Sequence, residues 1–270
     1  MGYISSHIIW ERKLEDAKLK GGEIWLGYIN GQSAKAITAQ HSLVLLECYI
    51  DPTILTKIAV DNCVAPGEIL RTQFLPDDVK VKNGDFGEML ARSVIQERRD
   101  HPCFPMFRWR NRAHKNDTVR GIDLLGYVMP SDEPNEDDKL ILCEVKTRTS
   151  KHKQVVEDAY KDAKTHSISR LANSLYFIQN WLRQYGYNDE AKKYSRFSNP
   201  HKAPFDLQLL PCIVHESKIW NDRYFDLLPE NHSTGEYKDK ESIEVVVISV
   251  ENLTDWIDEV HKTAVMCAGL

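Results

Sequence analysis

Apolar positions along this chain fall into two kinds of run, short unbroken stretches and stretches spaced by three and four. Ile24, Trp25, Leu26, Tyr28 and Ile29 form a compact run closed by Asn30-Gly31, which predicts a strand over residues 24–29 ending in a turn. Residues 41–50 are apolar without a decisive period and fit either a strand or a buried helix. Residues 68–75 predict a short strand stopped by Pro76. Phe86, Met89, Leu90 and Val94 share one face of a helix running from about residue 84 to 99. Asp85 stands where an N-cap belongs, and Glu88, three residues on, completes the pattern of a capping box. His101-Pro102-Cys103-Phe104-Pro105 breaks the chain.

Beyond the breaker, residues 121–128 and 140–146 predict two strands joined by a polar loop. The unbroken start Leu140-Ile141-Leu142-Cys143 predicts burial on both faces of the second strand. Ile168, Leu171, Leu175, Ile178 and Leu182 repeat at helical spacing, with Ser167 as the N-cap and Gly186 as the stop. Residues 187–204 read as a polar loop. Residues 206–216 are apolar, but Pro211 argues against a central strand there. Residues 243–250 are the most β-branched run and predict a central strand, and residues 255–265 predict a closing helix.

Strands alternating with helices predict an α/β fold, a mixed central β-sheet flanked by helices. Residues 1–80 carry no evident chemistry and read as an N-terminal α+β extension and possible partner-binding region, ahead of a functional domain over 81–270. With 42% hydrophobic and 28% charged residues in 270, the composition is that of a folded globular chain and excludes disorder as the main state. The six cysteines form no CxxC pair, which argues against a structural zinc site and fits a reducing cytoplasm. No apolar run is long enough to span a membrane, and the first residues do not read as a secretory leader. The net charge of −5 means that any nucleic-acid contact must come from a local basic patch.

The chemistry is sought in a pattern that is common in this chain. Acid-x-Lys occurs nine times, so context has to select among them. Glu144 and Lys146 alone close a strong apolar strand, where residues two apart stand side by side on one face. Glu216 and Lys218 are the rival, on the run that Pro211 interrupts. In a hairpin of the two strands, Asp123 meets Glu144 at one end of the sheet. Two converging carboxylates repel, and a divalent cation relieves both the repulsion and the cost of burying them. Mg²⁺, with Mn²⁺ as a substitute, suits two carboxylates, the Val145 carbonyl and several waters. Such an ion lowers the pKa of a bound water, and Lys146 is placed to orient that water and offset oxyanion charge. The pattern therefore predicts phosphodiester hydrolysis. The plainer alternative is a solvated salt bridge at a strand end. Glu88 has two readings as well, a further metal contact or the capping of its own helix.

Residues 106–120 hold Arg108, Arg110, Arg112, Lys115 and Arg120 against the single acid Asp117, with Trp109 interleaved. If extended, the segment places three arginines on one face for phosphate contact and Trp109 for stacking. Arg148, Lys151 and Lys153 extend the same surface. The loop over 129–139 holds five acids (Asp132, Glu133, Glu136, Asp137 and Asp138), either as solvation or to occupy a basic groove or a partner's basic patch.

Helix with Glu88, strand with Asp123, strand with Glu144-Val145-Lys146, then helix and strand resembles the PD-(D/E)xK nuclease superfamily. Ile122 stands where that family's name has Pro. The resemblance implies a restriction-endonuclease-like core in which Asp123 and Glu144 bind metal, Lys146 assists attack, and Glu88 matches an additional acid of the first helix. More narrowly, Gly84-Asp85-Phe86-Gly87-Glu88, Gly121-Ile122-Asp123 and Cys143-Glu144-Val145-Lys146-Thr147 resemble the nuclease subunit of Hachiman antiphage systems (HamA-type). That implies a cytoplasmic bacterial deoxyribonuclease, endo- or exonucleolytic, restrained by a superfamily-2 helicase partner. The alternative is a catalytically silent DNA-binding or scaffold subunit.

Overall fold

The computed structural model describes residues 4–13, 23–99, 109–110, 112–119, 121–165, 170–199, 203–227 and 241–269. Six strands form one sheet: β1 (Ile9–Lys13), β2 (Glu23–Ile29), β3 (Leu124–Val128), β4 (Lys139–Arg148), β5 (Asp206–Glu216) and β6 (Glu241–Val250). Their spatial order is β1-β2-β6-β5-β4-β3. The inner four run parallel, while the edge strands β1 and β3 are antiparallel to their neighbours. The sheet is thus mixed, as the alternation of strand and helix patterns predicts.

Helices cover both faces. On one side lie α1 (Gly31–Tyr49), α2 (Pro52–Asn62), the short α3 (Pro66–Ile69), α4 (Val79–Arg99) and α8 (Leu253–Cys267). On the other lie α5 (Val155–Thr165), α6 (Leu171–Gln184) and α7 (Asn188–Ser195). Alternate strand residues feed the two cores. Ile141, Cys143 and Val145 of β4 pack with Phe86, Leu90 and Trp256, whereas Leu140 and Leu142 pack with Val156, Tyr160 and Leu175. Burial on both faces is the reason the central strands read as unbroken apolar runs.

Residues 1–80 share this architecture. β2 pairs with β6, α1 packs on α8, and Ile37, Leu45 and Tyr49 belong to the same core as α4. The edge of β3 is covered by α7, whose Tyr194 hydroxyl donates to the Leu125 carbonyl at 2.8 Å. No helix among the described residues is long and apolar enough to cross a membrane.

Several expectations are corrected. The Asn30-Gly31 turn signal opens α1, since the Asn30 side chain accepts from the Ser33 amide at 2.8 Å, and of the two readings left open for residues 41–50 the helix is the one observed. Residues 68–75 are helical, not a strand: Pro66 starts α3, a π-turn over Leu70–Phe74 follows, and Arg71 pairs with Glu68 at 2.6 Å. The polar segment after Gly186 contains α7. β5 runs through Pro211 in the sheet interior. Its pairing with β6 holds at Leu207–Leu209 and resumes at Cys212, so the missing amide falls in a gap of that ladder. The breaker at 101–105 and the cap at Ser167 lie outside the described residues.

Candidate metal centre

β3 and β4 pair antiparallel with Leu124 opposite Cys143. The printed strand pairing ends there, and Asp123 lies one residue before it, next to the end of β4 that carries Glu144. β3 has no backbone rung at this point. Instead, Asp123 Oδ2 accepts from the Val145 amide at 2.8 Å, so a side chain continues the ladder. The N–H and C=O of a strand residue face the same neighbour, so the Val145 carbonyl is directed to the same edge. Gly121, two residues earlier, has φ +119°, a conformation that an L side chain resists, which explains why glycine opens this turn.

Glu144 is 6% exposed, and its Oε1 accepts from Lys146 Nζ at 2.8 Å on the same face. Lys146 also reaches Asp162 of α5 at 2.6 Å. Burial alone would push the Lys146 ammonium toward its neutral form. The Glu144 and Asp162 carboxylates outweigh that and hold its pKa above the usual lysine range. Lys146 is therefore a fixed cation, a donor rather than a base. Asp162 was not singled out in the sequence, where its acid-x-Lys setting looks like the other eight.

Glu88 follows Gly87 on α4. Gly87 packs its backbone against Thr147, which by strand alternation faces away from Glu144 and Lys146. Asp85 is not a helix cap. α4 begins a turn and a half earlier, capped by Asp78, whose Oδ1 accepts from the amides of Lys80 and Val81 at 2.8 and 3.1 Å. The capping-box reading of Asp85 and Glu88 is thereby removed. Asp85 is instead buried and takes both terminal nitrogens of Arg112, at 2.6 and 2.5 Å, together with the Tyr49 hydroxyl. Burial, then Asp85, raises the Tyr49 pKa well above its usual value. Burial opposes the Arg112 cation, and Asp85 more than compensates.

This changes the basic stretch. Trp109 and Arg110 form a short 3₁₀ turn rather than an extended strand. Trp109 is 2% exposed against Tyr49, so it does not present its face to a surface strand of nucleic acid. The Arg112 side chain is equally enclosed. Arg110 donates to the Glu47 carbonyl, Lys115 pairs with exposed Asp77 at 2.5 Å, and Arg148 donates to the Thr147 carbonyl at 3.1 Å. Arg108 and Arg120 lie outside the described residues. The acidic loop is also relocated. It closes the far end of the hairpin, five strand steps or about 17 Å from Asp123. Arg196 organises it by binding Asp138 at 2.5 Å and the carbonyls of Ser131 and Asp132. At that distance it does not plug the site.

Two opposed carboxylates and a main-chain carbonyl suit a hard cation that keeps most of its waters. They do not suit a metal caged wholly by protein. Among the described residues, no group of three or more His, Cys, Asp or Glu side chains is placed to hold an ion.

Compared with known proteins, a family model described as HamA matches residues 44–264, more than half of the chain. No curated protein matches it.

Proposed function

The chain belongs to the HamA family, and we propose that it is a divalent-metal-dependent deoxyribonuclease of the PD-(D/E)xK kind, the effector of a bacterial antiphage system of Hachiman type. On this reading it acts in the cytoplasm and is held in check by a superfamily-2 helicase. The observation that supports the reading is the joining of Asp123 to the Val145 amide, beside the Glu144–Lys146 pair, at one end of the β3–β4 hairpin. Asp123, Glu144 and the Val145 carbonyl would hold Mg²⁺, or Mn²⁺ in its place. When bound, the ion supplies an acidified water and neutralises charge at the scissile phosphate. Lys146, already an ammonium, donates to the attacking water and offsets the negative charge that develops on the phosphate oxygens. Asp162 keeps Lys146 in place.

A second reading, a silent DNA-binding or scaffold subunit, is favoured by the ion pairs that already engage Lys146 on both sides. Duplex and single-stranded DNA incubated with the protein, with and without the helicase, in Mg²⁺ or in chelator, separates the two. Glu144→Gln and Lys146→Ala, checked for folding by circular dichroism, should each reduce chelator-sensitive cleavage by about a hundredfold or more. Full cleavage by either variant refutes the assignment, and no cleavage under any condition leaves the silent subunit.

A further inference from the structure

We propose that His152 is the catalytic acid of the reaction assigned to this chain, giving a proton to the sugar oxygen that leaves the scissile phosphate, with Asp158 as its positioning residue. The inference rests on the nuclease reading and adds a residue to it.

β4 ends at Arg148, and His152 stands on the short turn that leads from it into α5, where its carbonyl accepts from the Val155 amide at 3.3 Å. Its Nε2 lies 2.6 Å from Asp158 Oδ2. Its Nδ1 has no partner among the described residues and is open to solvent. His41, His215 and His261 are instead buried, and burial holds each toward the neutral form. Among the described residues, His152 is the histidine that combines a carboxylate partner with an outward nitrogen.

α5 sets its place relative to Lys146. Asp162 holds Lys146 at 2.6 Å, and Asp158 holds His152 at the same distance. The two acids are four residues apart on one face of the helix, about 6 Å from each other. Successive turns of one helix therefore hold the ammonium and the imidazole, at the end of β4 that carries Glu144. His215, which pairs with Arg148 in the next strand, lies close to both Arg148 and His152: burial lowers its pKa most, and those two neighbours lower it further.

Two donors one turn apart suit an in-line displacement. The attacking and leaving oxygens occupy opposite sides of the phosphorus, so the group that serves the water does not serve the leaving oxygen. Lys146 is assigned to the water, and a sugar alkoxide is too basic to depart without a proton. In the step, the water oxygen bonds to phosphorus and the bond from phosphorus to the leaving sugar oxygen breaks. That oxygen keeps the electron pair and takes the Nδ1 proton of the His152 imidazolium. The water's surplus proton passes to solvent, and the ring, 38% exposed, is reprotonated from it. Asp158 orients the ring and fixes which nitrogen faces outward.

The test compares His152→Gln and His152→Ala with the parent on one oligonucleotide, single- or double-stranded as the parent prefers. At a single linkage it carries either oxygen or sulfur as the leaving bridging atom, and a thiolate departs without a proton. In Mg²⁺, with the helicase where the parent needs it, both variants should cut the oxygen linkage about a hundredfold more slowly than the parent, and the sulfur linkage within about threefold of it. Glutamine retains a donor for Asp158, so loss of that contact does not explain its defect. Binding of the uncut oligonucleotide in chelator, read by fluorescence anisotropy, should match the parent. The proposal is overturned if either variant cuts the oxygen linkage like the parent, if both linkages slow alike, or if binding falls as far as the rate. A parent that cuts neither linkage under any condition ends the nuclease reading and this proposal with it, whereas an active parent with variants of the overturning kind ends the proposal alone.

Discussion

Gly87 brings α4 close against Thr147 of the strand that carries Glu144 and Lys146, and Gly87→Ala tests that approach. A Cβ there would meet Thr147 Oγ1 at 1.8 Å, Thr147 Cβ at 3.1 Å and Thr147 Cγ2 at 3.5 Å. The middle contact yields to a shift of a few tenths of an ångström, but the first does not. Thr147 is β-branched, stiff and 9% exposed, with little room to turn its hydroxyl away. Two effects oppose each other. Alanine inside a helix gains about 1 kcal/mol over glycine, and overpacking a filled core loses about 1–3 kcal/mol. The 1.8 Å overlap places this site near the upper end of the loss, so Gly87→Ala should be net destabilising by about 1–2 kcal/mol. Thr147→Ala removes the obstruction. The Thr147 hydroxyl has no hydrogen-bond partner among the described residues, so its loss breaks no bond. In the double variant the propensity gain should then emerge, giving a coupling of about 2 kcal/mol or more across the cycle. Urea denaturation of the four proteins, followed by far-ultraviolet circular dichroism, measures it. Additive effects, or a Gly87→Ala protein more stable than the parent, would show that α4 does not approach β4 this closely.

Asp123→Asn separates structure from chemistry: the amide oxygen can still accept from the Val145 N–H, so stability should stay within about 1 kcal/mol while Mg²⁺-dependent cleavage is lost, and retained cleavage would remove Asp123 from the metal site. Acid should unfold the protein through its buried imidazoles. Burial lowers His41, set between Phe86 and Trp256, and His261 from the usual 6.5 to about 4. The unfolded chain then binds more protons between these values, so stability is complete above pH 6.5 and falls as the pH drops toward 4. The loss at pH 5 is about 2 kcal/mol for each histidine. His215 is lowered by burial as well; denaturation at pH 7 and pH 5 follows the loss, and His41→Leu should make the slope shallower, so an unchanged slope would contradict its neutral burial.

Local sequence carried the sheet and one edge of the site. Unbroken apolar runs are what a strand buried on both faces requires, and β4 and β6 were legible for that reason. The approach of Asp123 to the Val145 end of β4 was legible because a hairpin turns sequence spacing into a register. Contacts that skip along the chain were not legible. Asp85 looks like a cap because it precedes an amphipathic stretch. Its actual partners, Tyr49 and Arg112, are 36 and 27 residues away, and nothing local distinguishes it from Asp78, which does cap the helix. The same blindness made Arg112 and Trp109 look like surface residues, since alternation shows which side chains share a face but not whether another helix covers them. Pro211 misled for a related reason. The rule against central prolines assumes a continuous ladder on both sides, and β5 breaks its ladder with β6 where the amide is missing.

Lys146 links the bland and the catalytic accounts of this site, because its two carboxylates are unequal. Glu144 is almost wholly enclosed, whereas the Asp162 side chain is 52% exposed. Attraction is strong for the enclosed pair and largely screened for the exposed one. On the proposed reading, a cation bound at Glu144 would share that carboxylate with Lys146, which now contacts its Oε1. Were Glu144 the only partner, the displaced ammonium would be left half-buried beside a like charge, and both burial and repulsion would strip its proton. Asp162 would prevent this by retaining the ammonium at its half-exposed carboxylate. The lysine stays charged whether or not the ion is present. That persistent charge is what a donor to an oxyanion needs and what a general base cannot have.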